Sequence, residues 1–407
     1  MSKNNPTFGD LAKEAALLPQ EQLLKVHESN NSLFIGIPKE ITYQENRVPL
    51  TPASVKYLTD NGHTIYLESG AGKSSNFPDI QYSEAGAQII SKKEEVYSAD
   101  IILKIAPPTK EEIEFLKPSQ LLISALQINN LDEVLIKRLL TKRVNAISYE
   151  FLEDESGALP AIRAMSELAG SASIMIAAEY LNNSNIGKGE LIGGFTGIPP
   201  TQIVIIGAGS VGEYAARAGL GIGANVKVFD NHIYRLRRIQ ENVGSSIYTS
   251  TLHPNVLANA LLSADVVIGA LRGKNSRSPI VVTEEMVMNM KPKSVIIDVS
   301  IDHGGNFETS EGTNHAKPVF KKHEVIHYCV PNITSRVSRT ASYALSNIFT
   351  PILVDMAKHH DFEDFLRDRK GARKGVYAYK GMLTNSFLAE RFHIPVKDLN
   401  LILGSYI

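Results

Sequence analysis

Ile203-Val204-Ile205-Ile206-Gly207-Ala208-Gly209-Ser210-Val211-Gly212 is the stretch whose reading decides the fold. An unbroken apolar run, a Gly-x-Gly-x-x-Gly turn and a small-residue segment with Ala215, Ala216, Ala218 and Gly219 read as the strand, turn and helix that hold a dinucleotide. Gly207 suits the tight turn, Gly209 lets the backbone approach the pyrophosphate, and Gly212 lets the helix lie close to its strand. Ser210 and Val211 open that helix, whose free N–H groups face the phosphates. A second apolar run, Val226 to Phe229, ends at Asp230, about 20 residues after the glycines, where an acid accepts hydrogen bonds from the ribose hydroxyls. Such an acid repels a 2′-phosphate, so NAD is expected rather than NADP. Arg235, Arg237 and Arg238, just downstream, argue the other way.

The 407 residues exceed one ordinary core, and two domains are expected. A formal charge of −1 without a basic block leaves no footprint for nucleic acid or an anionic membrane. The single cysteine, Cys329, excludes an internal disulfide and a thiolate metal cluster, and the histidines show no metal-ligand spacing, so no metal is expected. Met1 to Asp10 lacks the pattern of a signal peptide, and no unbroken apolar stretch is long enough for a membrane span. These features fit a cytoplasmic protein whose partners are small metabolites.

Outward from the glycine turn, strand alternates with helix. Strands read at Phe34 to Ile37, Thr64 to Glu68, Ile101 to Leu103, Leu121 to Leu126 and Val144 to Ile147. Thr51-Pro52 opens a helix as cap and first helical residue. A long small-residue helix runs from about Ala161 to Leu181 and leads into the dinucleotide unit. Further strands read at Ile247 to Thr249, Val266 to Gly269, Val295 to Val299 and Val325 to Val330, then a helix from about Ser338 to Met356. The tail after Asp361 reads as helical and polar. This pattern predicts an α/β protein of two doubly wound, parallel-sheet, Rossmann-like domains, one inserted into the other. Residues 33–160 and 339–407 form the substrate domain and 161–338 the dinucleotide domain, while residues 1–32, with an amphipathic helix through Leu11, Ala15, Leu18, Leu23 and Leu24, form an extension.

Ligands of open parallel sheets bind beyond the carboxyl ends of the strands. Lys104 there reads either as a strand-end lysine with a snorkelling head or as the cation for a substrate carboxylate. Arg47, in the loop after the first strand, is either a surface arginine or a bidentate partner for the same carboxylate. Gln127 caps a strand end, or donates a hydrogen bond to a carbonyl; it cannot transfer a proton. Asp302, beside His303 and before Gly304-Gly305, is either part of a turn or an acid facing the nicotinamide. Cys329 reads as a buried small hydrophobe.

Ordered along the chain, Ile35-Gly36-Ile37-Pro38-Lys39-Glu40, Glu45-Asn46-Arg47-Val48, Leu50-Thr51-Pro52, Leu103-Lys104, Met165-Ser166-Glu167-Leu168-Ala169-Gly170, the glycine turn, Ile301-Asp302 with Gly304-Gly305, Tyr328-Cys329-Val330 and Tyr379-Lys380-Gly381 resemble the alanine dehydrogenase family. That family includes the NAD-binding domain of proton-translocating transhydrogenase. Met165-Ser166-Glu167 is closer to the dehydrogenase. The resemblance covers about Phe34 to Phe392. It implies that Arg47 and Lys104 bind the substrate carboxylate, and that Asp302 lies beside substrate and nicotinamide. It further implies that Ser166, Asp230, Arg235, Val299, Ile301, Val330, Asn332 and Ile333 contact NAD, and that the chain is a homo-oligomer, a dimer or hexamer. The implied reaction is oxidative deamination of a small L-amino acid, L-alanine to pyruvate and ammonium. Two features depart from the family. Gln127 stands where the family has its proton-transferring histidine, and Leu271 to Pro279 carries the extra cations Arg272 and Arg277. The first suggests an NAD(H)-binding protein of little turnover, a sensor or assembly subunit, as an alternative. The second suggests an opine- or saccharopine-type dehydrogenase acting on a secondary amine with a second carboxylate.

Overall fold

The computed structural model describes residues 31–127, 131–244, 246–273 and 277–404. The helix expected within residues 1–32 falls almost entirely outside them, as do Ile128 and Lys274 to Ser276. Six strands come first: β1 (Phe34–Ile37), β2 (Thr64–Glu68), β3 (Gln88–Ile90), β4 (Ile101–Leu103), β5 (Leu121–Ser124) and β6 (Asn145–Ser148). They lie parallel in the order β3-β2-β1-β4-β5-β6. The central strands β4, β5 and β6 are buried along their whole length, as sheets covered on both faces require, whereas β2 alternates.

The helix Pro160–Asn182 then carries the chain to a second sheet. Its first turns, at Ala161 and Met165, join the core of the first sheet, and from Ala169 onward it joins that of the second. Gly170 makes this possible: a Cβ there would lie 2.3 Å from the carbonyl oxygen of Val211, so the helix seats directly on Ser210–Gly221, the helix after the glycine turn.

The second sheet consists of β7 (Gln202–Ile206), β8 (Asn225–Phe229), β9 (Tyr248–Ser250), β10 (Val266–Gly269), β11 (Val295–Asp298), β12 (Val319–Lys322) and β13 (Val325–Tyr328), in the order β9-β8-β7-β10-β11-β13-β12. Only β12 runs antiparallel, at the edge. The chain returns through the helix Ser338–Ala357, whose Leu345, Phe349, Leu353 and Met356 pack in the first core. It then adds β14 (Val376–Tyr379) antiparallel to β6 and β15 (Met382–Leu383) antiparallel to β14, followed by the short helices Ser386–Phe392 and Leu399–Ile402.

Both sheets are therefore mostly parallel with a reversal of strand order, between β1 and β4 in the first and between β7 and β10 in the second. The crevice beyond the carboxyl ends at such a reversal is where an open α/β sheet binds its ligand. Two expectations need correction. The tail is not simply helical and polar: Val376–Tyr379 is buried throughout, and with β15 it covers an edge of the first sheet. The strand expected from Leu121 to Leu126 stops at Ser124, because Ala125 turns its amide to the carbonyl of Ile105 and the Glu150 carboxylate takes the next two amides.

Candidate active site

At the first reversal, Glu40 follows β1 and Lys104 follows β4. The Lys104 ammonium is fully buried, 3.2 Å from Glu40 Oε2 and 3.0 Å from Glu112 Oε1. Glu40 Oε1 accepts the Ile105 amide at 2.6 Å. Glu112 belongs to a capping box that starts the helix Lys110–Phe115, its Oε2 accepting the Thr109 amide at 2.8 Å. Burial works against the charge of Lys104, but the two carboxylates outweigh it and hold the ammonium above its ordinary pKa. For Glu40 burial wins over the attraction of Lys104, and its carboxyl is raised. The snorkelling reading of Lys104 is therefore wrong, since its head does not reach water.

Arg47 is buried as well. Its Nε and Nη2 pair with both oxygens of Glu45, at 2.7 and 2.6 Å, and its Nη1 donates to Thr334 Oγ1 at 3.1 Å and contacts Met165 Sδ at 3.4 Å. Burial opposes both charges, yet the pair wins: Arg47 is raised and Glu45 lowered. Glu45 Oε2 also accepts from Asn332 Nδ2 at 2.9 Å, and the Asn332 amide donates to Asp302 at 3.2 Å. Asn332 can do both because it sits in the left-handed region, φ 54°. The structure thus brings Arg47, Asn332 and Asp302 into one chain of contacts across the two sheets, with Met165 and Thr334 at its side. Solvent reaches Asp302, but protein crowding around its carboxyl raises its pKa against the Asn332 amide, His303 and Arg47.

Asp302 rides on a short 3-10 turn, Ile301–His303, and that turn is wound around Asp298 at the end of β11. The buried Asp298 carboxylate accepts the amides of Ser300 (3.1 Å) and Asn306 (2.8 Å) and the hydroxyl of Ser310 (2.6 Å). The double glycine serves this close approach, because a Cβ on Gly305 would stand 2.6 Å from Asp298 Oδ2. Burial pushes the Asp298 carboxyl up to about 6. Asn306, fully buried, extends the frame to the next loop by bonding Leu271 through both its amide and carbonyl, and the carbonyl of Pro279. Cys329 is buried, with its thiol pushed up to about 12, a small hydrophobe against Ser310.

Gln127 lies beyond β5 in a left-handed bend, φ 45°. Glu150 Oε2 holds it there, accepting the amides of Leu126 at 2.7 Å and Gln127 at 3.0 Å and the hydroxyl of Ser148 at 3.3 Å.

At the second reversal the glycine turn has the shape a dinucleotide needs. Gly207 sits at φ 112°, and a Cβ there would meet the Ala270 carbonyl at 2.5 Å; at Gly212 it would meet the Gly207 carbonyl at 1.8 Å. At Gly209, by contrast, a Cβ would find nothing within 4 Å. The open side of Gly209, at the N-terminus of the helix Ser210–Gly221, is the space a pyrophosphate takes, so these residues fit NAD. Val299 and Ile301 follow β11 and Val330 and Ile333 follow β13, at the carboxyl ends of adjacent parallel strands, while Ser166 lies on the linking helix with its hydroxyl turned to the Ile162 carbonyl. Asp230 directly follows β8. It is fully buried, with Oδ2 on the Ala208 amide and Oδ1 on both the amide and the ring Nδ1 of His232, and Arg235 stands 3.8 Å away.

Sequence reasoning assigned the cations but missed their acids, Glu40, Glu45 and Glu112, and missed Asp298. Spacing alone held one signal: Glu45 and Arg47, two apart after a strand, share a bend that lets one grip the other. Among the described residues no group of three or more His, Cys, Asp or Glu side chains is arranged to hold a metal, and no helix is long and apolar enough to cross a membrane.

Comparison with known proteins agrees with this architecture. Residues 36–169 match the family model "Alanine dehydrogenase/PNT, N-terminal domain", and residues 173–386 match "Alanine dehydrogenase/PNT, C-terminal domain". The chain is 37% identical to alanine dehydrogenase 2 of Staphylococcus aureus (strain USA300) over 366 residues, 90% of this chain and 98% of that one. Among solved structures it resembles an L-alanine dehydrogenase with a TM-score of 0.82 at 34% identity, covering 88% of this chain and 99% of the other. A transhydrogenase from Sinorhizobium meliloti shares the fold, with a TM-score of 0.72 at 23% identity over 86% and 98% of the two chains.

Proposed function

Because the chain belongs to the alanine dehydrogenase/PNT family, we propose that it is an NAD-dependent oxidoreductase that converts L-alanine to pyruvate and ammonium, reversibly, in the cytoplasm and as a homo-oligomer. The observation that supports this reading is the chain of contacts from Arg47 through Glu45 and Asn332 to Asp302, with Lys104 held by Glu40 at the end of the neighbouring strand and a glycine turn open at Gly209, each on a residue that the family resemblance marks.

Bound NAD supplies the acceptor for the hydride leaving the amino acid's Cα. Arg47 and Lys104 anchor the carboxylate, and the contacts that Glu45, Glu40 and Glu112 make with them fix both cations before substrate arrives, which lowers the entropic cost of orientation. Asp302 steers the amine in the ground state and then the water that adds to the imine carbon. Gln127 donates to the developing hydroxyl or oxo group and moves no proton, so turnover is slower than a histidine there would give. Residues 33–160 with 339–407 serve as substrate domain and 161–338 as NAD domain.

The test is NADH oxidation by the purified protein with pyruvate and ammonium, beside a titration of NADH binding. Turnover that needs both co-substrates supports the reading. Tight binding without turnover on any 2-oxo acid favours the sensor alternative.

A further inference from the structure

Lys104 is one buried cation between two buried anions. The Glu40, Glu112 and Lys104 side chains are 4%, 1% and 0% exposed, and the adjacent cation, Arg47, is already neutralised by Glu45. A carboxylate arriving at Lys104 would be the third anion on a single ammonium, in a crevice with little solvent to screen the repulsion. Charge balance then demands that one acid be neutralised.

We propose that the substrate's carboxylate enters this site together with one proton, and that Glu40 takes up that proton as the incoming anion claims Lys104. This rests on the reading above that Lys104 receives the carboxylate. The proton comes from solvent and bonds to a Glu40 carboxylate oxygen; no bond in the substrate changes.

Geometry selects Glu40 over Glu112. Each acid gives its second oxygen to a backbone amide, Glu40 to Ile105 and Glu112 to Thr109, but only the Glu112 bond belongs to a capping box, and the Glu112 contact with Lys104 is the shorter one. Withdrawing Glu112 would undo the start of its helix. Glu40 has the longer contact with Lys104 and faces a further carboxylate, Glu45, whose charge disfavours its own. The groups around Glu40 come from every packed element: Glu45 and Arg47 from its own loop, Lys104 from β4, Glu112 from the helix Lys110–Phe115, and the phenols of Tyr97 and Tyr149, both kept neutral by burial. Among them Glu45 is held below its ordinary pKa by Arg47, against the opposition of burial, and so does not compete for the proton. Burial already favours the neutral form of Glu40, so the last step costs little.

The proposal predicts that pyruvate binds more weakly as pH rises, by up to about ten-fold per pH unit. It is tested by calorimetric titration of pyruvate into the NADH-saturated protein without ammonium, at mildly alkaline pH, in phosphate and in Tris, whose ionisation enthalpies differ. The expected result is uptake approaching one proton per site. Glu40→Gln, which imitates the protonated acid, should bind pyruvate with no uptake and no pH dependence over the same range. Absence of uptake by the wild-type protein overturns the proposal, as does undiminished uptake by Glu40→Gln. The wild-type measurement decides by itself if the variant does not fold. If pyruvate fails to bind to a protein that binds NADH normally, the substrate reading itself falls, an outcome distinct from binding without proton uptake.

Discussion

Asn332 donates to Glu45 across 2.9 Å, joining a loop of the second sheet to a loop of the first. The same asparagine holds Asp302 through its backbone and is bonded by Thr334, which in turn supports Arg47. A small side chain therefore sets the distance between the group proposed to anchor substrate and the group proposed to steer its chemistry.

Asn332→Ala removes that link while leaving the Asn332 amide and the Arg47–Glu45 pair in place. The expected outcome is a several-fold rise in KM for pyruvate with a lowered thermal midpoint, since alanine is less tolerant than asparagine of φ 54°. Glu45→Gln, by contrast, leaves Arg47 buried without its counter-ion and should cost roughly 3–5 kcal/mol in denaturant unfolding.

Gly209 and Gly207 should separate cofactor binding from folding. Gly209→Ala places a methyl where no protein atom stands, so the protein folds normally and NADH affinity drops by about ten-fold or more. Gly207→Ala forces alanine to φ 112° against the Ala270 carbonyl, and should destabilise the fold by about 1–3 kcal/mol or more. NADH fluorescence titration and thermal melts distinguish the two; the chain has no tryptophan to interfere.

Asp298 gives a pH signature. Its folded pKa, about 6, lies above the ordinary carboxylate value, so the folded state holds a proton that the unfolded state has released between those two pH values. The resulting stability is complete below the unfolded pKa and is lost as pH rises through 6, by up to about 3 kcal/mol. Asp298→Asn should lack this decline. Denaturant unfolding of both proteins across that window checks it, and parallel pH profiles would refute the assignment.

Most strands of the two sheets were legible in the sequence because they are apolar runs between turn residues, whereas β3 and β12, short edge strands with polar residues and partial exposure, were not read. Val376–Tyr379 was not, because only four residues separate charged helical segments from Lys380-Gly381, and their burial comes from pairing with β6, more than 200 residues earlier. The site was half legible. Lys104, Asp302 and the glycines stand just beyond strands, and Arg47 in the loop after the first, places that sequence can locate. Their partners cannot be found this way, since Glu112 reads as an ordinary helix-start acid and Asp298 as the last residue of a strand. Asp230 was located at its strand end, but its bond to the His232 ring depends on a bend two residues long.

Lys104→Ala should leave two buried carboxylates without their cation and the substrate without its anchor. NADH binding should persist while kcat/KM for pyruvate falls roughly 30- to 3,000-fold, the range expected on truncating one partner of a buried charge pair. Near-normal turnover would remove Lys104 from the substrate site.

Gln127→His introduces a proton carrier at the bend held by Glu150. General acid–base help is typically worth 10²–10⁴-fold, and amination of pyruvate should accelerate by at least about ten-fold within that ceiling, with a new pH dependence near the histidine range. An unchanged rate would mean that another group of this site already moves the proton.

The central claim is met most directly by following NADH absorbance with the wild-type protein, pyruvate and ammonium together, and with each omitted in turn. The account predicts NADH consumption that requires all three components and yields alanine. NADH bound tightly but never consumed, with pyruvate and ammonium present at saturating levels, would contradict it.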